Sequence, residues 1–206
     1  MTTIHEIPAY QLDTTYRIML KRIGKGYTAA QLTFLLGAPE GYIQEIEALE
    51  RPFYTPHDLA RIAIALEECN PDSLCSSISN EALLKIAVTN EYSEGSFVHA
   101  YYRVNEEVYQ EELFRLYEEE FSEFDEMMKT EETFNILNDI IDVLTRTGYF
   151  FESKLPYEIF KTINNMTPEP LSSYFIQSAL DRYLAESNDK LRLVGSSQEP
   201  YCYEQC

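Results

Sequence analysis

The chain has 206 residues, 45% of them hydrophobic, enough to bury a core in one large domain or two small ones. Thirty-five acids against 16 bases leave a net charge of −19, which repels nucleic acid and anionic membrane at long range and attracts basic partners. Only 7 glycines and no run of about 20 apolar residues argue against a turn-rich β fold and a membrane span.

Residues 1–11 read as an extended arm containing Pro8. A helical pattern then runs from near Asp13 through Tyr16, Met19, Leu20 and Ile23, and Gly24 and Gly26 end it. Thr28-Ala29-Ala30-Gln31 forms a capping box, in which hydroxyl and amide satisfy two orphan backbone N–H groups reciprocally. The helix behind it carries Leu32, Leu35 and Leu36 and stops at Gly37. Pro39 suits the first turn of a third helix with Tyr42, Ile43, Ile46 and Leu49. Thr55-Pro56-His57-Asp58 starts a fourth, with a hydroxyl cap, proline in the first turn and an early acid. Asn70-Pro71-Asp72 repeats that signal for a short fifth helix.

The second half reads as helical too. Asn80 caps a helix through Val88, and residues 90–96, with Gly95, form a linker. From Phe97 to Met128, apolar residues recur at steps of three and four, with a phase shift near Val108 and Tyr109 that implies a bend or two helices. Further helices are expected around Phe134–Leu144, Leu155–Ile163 and Tyr174–Leu184, a short extended piece at Leu191–Val194, and a loose tail.

Residues 17–66 resemble the Cro and lambda-repressor (XRE-like) type of helix-turn-helix domain. Arg22, Gly26, Thr28, Leu32, Leu36, Gly37, Ile43, Ile46, Glu47, Ala63 and Leu66 stand at that family's spacing. The resemblance implies a small core between crossed helices, closed by Leu32, Leu36, Ile43 and Ile46, with Gly37 at the turn. It weakens where the family touches DNA. Ala29 replaces the usual Gln, and the recognition-helix equivalents are Ala38, Pro39, Glu40, Gly41, Tyr42, Gln44 and Glu45. Only Tyr42 and Gln44 remain to contact bases or phosphates, and Lys21, Arg22 and Lys25 are the nearby cations. Glu40, Glu45, Glu47 and Glu50 put negative charge near that face. Phe34 and Leu35 stand where the family carries exposed charges, so this helix face is expected to meet the C-terminal region, a second subunit in a homodimer, or another protein.

Residues 106–132 hold twelve acids against Arg115 and Lys129. On a helix, Glu112, Glu119, Glu123 and Glu126 would share one ridge opposite Tyr109, Leu113, Tyr117 and Phe121, an acidic docking ridge for a basic protein. No metal-ligand, phosphate-cradling or nucleophile motif is present, and His5, His57 and His99 lie in unrelated contexts, so neither catalysis, a cofactor nor a metal is expected. The four cysteines read as free thiols of a cytoplasmic protein.

These readings converge on an all-α fold, with a Cro-like domain at 12–79, an acidic helical domain at 80–188 and a flexible tail at 189–206. The function expected is a protein-binding regulator or inhibitor, of antitoxin or immunity type, for a basic partner. The alternative is a DNA-binding transcriptional regulator using Tyr42, Gln44, Lys21, Arg22 and Lys25.

Overall fold

A computed structural model describes residues 4–51, 53–77, 81–105, 108–120, 131–186, 190–195 and 200–206. The fold is mixed α and β, with a four-stranded sheet and a two-stranded one, so the all-α expectation is overturned. The chain divides into two compact units, Met1–Leu32 with Gly41–Phe121, and Thr33–Glu40 with Ser122–Cys206. Neither coincides with the expected boundary at residue 80.

In the first unit, strand β1 (Ile4–Pro8) leads into helix α1 (Ala9–Gly24). The Thr28 box forms as expected: the Thr28 N–H donates to Gln31 and the Gln31 N–H to the Thr28 hydroxyl. It opens α2 (Ala29–Leu35). Helix α3 (Tyr42–Glu47) is short and is followed by α4 (Pro56–Ala65), whose Thr55–Asp58 capping box is complete. Asn70 caps only a 3-10 turn at Pro71–Ser73. Ile18, Leu32, Ile43, Ile46, Ile62, Ala63 and Leu66 are buried.

The segment expected to continue as helix is instead an antiparallel meander of β2 (Leu83–Ser93), β3 (Ser96–Asn105) and β4 (Val108–Glu119). With β1 the sheet order is β1-β2-β3-β4. The physical reason lies in the side chains. Leu84, Ile86 and Val88 alternate along β2, and β3 is rich in Val, Tyr and Phe, residues that suit a pleated surface. Glu94 and Gly95 both take positive φ, 53° and 83°, which makes the two-residue hairpin turn that matches strand twist. The presumed linker is that turn. Phe97 and Tyr101, four apart, share a face of a strand as well as of a helix. The phase shift near Val108 marks the β3–β4 connection. Leu12 and Met19 from α1 pack with Ile86, Tyr101 and Leu116, flanked by Tyr16, Ile23 and Phe114.

In the second unit, α5 (Glu131–Arg146), α6 (Pro156–Met166) and α7 (Ser173–Glu186) bury Leu137, Ile141, Ile159, Ile163, Phe175, Ile176 and Leu180. The described part of the tail, residues 190–195 and 200–206, is not loose. Strand β5 (Leu191–Val194) pairs with β6 (Cys202–Gln205), and Tyr203 is buried. The 33–40 segment belongs here: the Tyr201 N–H donates to the Gly37 carbonyl at 2.8 Å. Gly37 has φ +62°, and a Cβ there would strike the Tyr201 carbonyl oxygen. Among the described residues, no helix is long and apolar enough to cross a membrane.

Candidate functional site

The most concentrated chemistry in the first unit surrounds Arg22, in the last turn of α1. All five N–H donors of its guanidinium are used. Two go to the Glu47 carboxylate at 2.8 and 2.9 Å, two to the Glu118 carboxylate at 2.8 Å, and one to the Tyr27 carbonyl at 2.6 Å. Glu118 also meets His99 Nε2 at 3.0 Å, and His99 Nδ1 meets Asn90 at 2.9 Å. The Tyr101 hydroxyl donates to the Glu47 backbone carbonyl. The cluster therefore joins α1, α3, β2, β3 and β4.

Burial and pairing pull these groups in opposite directions. Burial would lower Arg22, but Glu47 and Glu118 outweigh it and hold the guanidinium above its ordinary value. Burial would raise Glu118, but hydrogen bonds from His99 and Arg22 bring it down to about 2. Glu47 is fully enclosed, and there burial wins over Arg22 and pushes its carboxyl up.

Around this cluster the expected DNA-contacting residues are turned inward or occupied. Arg22 is buried, which corrects its placement on a basic face. Glu47 is buried against it rather than presented outward. Lys21 pairs with Glu68 at 2.8 Å and Lys25 with Glu67 at 2.9 Å. The Tyr42 hydroxyl donates to Asp58 at 2.8 Å, and the Arg51 guanidinium lies 4.8 Å from its ring centre. Burial, then Asp58, raises the Tyr42 hydroxyl. Gln44 is exposed.

The expected docking residues are also redistributed. Phe34 and Leu35 are buried and form interior, not a binding patch, because their segment packs within the second unit. Glu112 and Glu119 are exposed, but on strand β4 rather than on a helical ridge. Glu112 is paired with Arg115 at 2.6 Å. Glu123 and Glu126 lie outside the described residues.

What sequence reading missed is the end of the sheet. Glu91 and Glu94 on the β2–β3 hairpin and Glu119 and Glu120 at the end of β4 are all exposed there. The Glu120 N–H bonds the Gly95 carbonyl, and the Tyr92 hydroxyl donates to the Glu120 carboxylate, which brings the two loops together. Tyr92, Phe97 and Tyr117 are 54%, 43% and 61% exposed, large fractions for aromatic side chains. Tyr92 and Phe97 are cross-strand partners with ring centres 5.1 Å apart. A cleft of about 500 Å³ is lined by residues 23–28 and by Tyr117, Glu118, Glu119 and Glu120. Glu119 stands out in the sequence as an acidic docking residue, and the turn at Glu94-Gly95 is the signal that could have revealed the hairpin beside it.

Comparison of the chain with protein-family models, with curated proteins and with solved structures returns no match.

Proposed function

We propose that the chain is a cytoplasmic protein-binding regulator or inhibitor, not an enzyme, that engages a basic partner through the acidic, aromatic end of its sheet, with the Cro-like helices serving as scaffold. The observation that carries this reading is the exposure, at one end of the sheet, of Glu91, Glu94, Glu119 and Glu120 together with Tyr92 and Phe97 on one face and Tyr117 on the other. Tyrosine anchors within a charged rim suit protein recognition, and the −19 charge speeds encounter with a cationic surface. The cations that DNA binding would require are engaged within the chain, Arg22 with all five donors. Both nitrogens of His99 are occupied, which disfavours a proton-transfer role. No disulfide joins the four cysteines, in keeping with a reducing compartment.

Affinity capture with the full chain, followed by mass spectrometry of protein and nucleic acid, tests the reading. A basic protein should be recovered whose association slows as salt rises, and which is lost from a variant carrying Gln at Glu91, Glu94, Glu119 and Glu120. Recovery of duplex DNA bound with a steep salt dependence would favour the transcriptional-regulator alternative, for which exposed Gln44 is the supporting residue.

A further inference from the structure

The sheet order leaves β4 as an edge strand, bonded to β3 along one side only. Among the described residues, no backbone group pairs with its other side. The register shifts of β4 fall between Tyr101 and Tyr102 and between Arg103 and Val104 on its neighbour, so the stretch Phe114–Glu119 is regular. Four consecutive residues, Tyr117 to Glu120, line the same cleft. Neighbouring strand residues point to opposite faces, so a cleft that meets all four runs along the strand's edge and not over one face.

From this geometry we infer that an extended, basic segment of the partner adds to the open edge of β4 at Phe114–Glu119, running through the cleft between that edge and the turn at residues 23–28. The inference rests on the basic-partner reading above. Main-chain hydrogen bonds to the edge supply affinity, and alternate side chains supply specificity. Cationic side chains meet the exposed Glu119 and Glu120, beside the ring of Tyr117. Charge selects this occupant over a second copy. Each copy carries a net charge of −19, so two copies repel at long range whereas a basic segment is attracted. The other edge, β1, is only five residues long and ends in Pro8, which lacks a donor N–H.

The test uses the full chain and a labelled eight-residue peptide of alternating Lys and Thr. Two companion peptides carry N-methyl groups on one or the other alternate set of backbone amides. The unmodified peptide should bind at low salt, slow hydrogen exchange at Phe114–Glu119, and weaken about tenfold or more in one methylated form. Equal binding of all three without protection of β4 would mean attraction by charge alone; it overturns the edge site and leaves the basic-partner reading standing. Absence of binding by any peptide also overturns the edge site. The partner reading fails separately, if affinity capture returns no basic protein.

Discussion

The two units tie distant parts of the chain together by opposite means. The first uses a buried charge: Arg22 holds Glu47 and, 96 positions away, Glu118. The second uses close approach of backbone, with Gly37 against Tyr201 and a buried Tyr203 between Lys154 and β5. A buried ion cluster tolerates no missing member, because each remaining charge is then unpaired in a medium that solvates it poorly. A glycine contact tolerates no added atom. The first unit is thus sensitive to chemistry and the second to volume.

The largest effect is expected from Arg22→Ala, which leaves Glu47 and Glu118 unpaired. Amides of β3 and β4 should lose about 3–5 kcal/mol of protection in native-state hydrogen exchange, with α5–α7 affected less. Equal loss in both units would break the contrast.

Acid should act next, and on the first unit. The Glu118 carboxyl sits near 2 when folded, against an ordinary value of about 4.3. A depressed carboxyl contributes stability that is complete above the ordinary value and fades as pH falls from about 4.3 to 2. The shift corresponds to about 3 kcal/mol. Glu118→Gln should flatten that part of the pH profile, as followed by exchange at β4. A profile that keeps its slope in the variant would assign the effect to other carboxylates.

Gly37→Ala sharpens the other side. The φ of +62° and the Tyr201 carbonyl both oppose a Cβ, so a loss of about 1–3 kcal/mol is expected, read as faster exchange in β5 and β6. The smallest effect belongs to Lys25→Ala. Its pair with Glu67 is exposed, and such pairs contribute about 1 kcal/mol or less. A thermal melt should move little, and added salt should erase the difference.

Much of the first 75 residues was legible because the signals are local. Thr28 with Gln31 and Thr55 with Asp58 each satisfy backbone groups within one turn, so a capping box reads the same in the sequence and in the fold. The alternation of Leu84, Ile86 and Val88 and the turn at Glu94-Gly95 were equally local. They were masked by residues spaced at three and four, since Phe97 and Tyr101 share a face in either geometry. Glu119 was legible as a charge and Tyr117 as an aromatic residue, but their placement on an edge strand was not.

The sequence by itself determined the acidity, the helix starts at Thr28 and Thr55, and the poverty of donors on α3. Tertiary structure alone decided that 83–119 is a sheet, that Arg22 is interior, and that Phe34 and Leu35 are core. The reason is range. A cap or a turn is settled among residues within four positions of each other, whereas the choice between strand and helix for β3 depends on partners at Val88 and Phe114. The burial of Arg22 likewise depends on Glu118, which reaches it only once the sheet has formed.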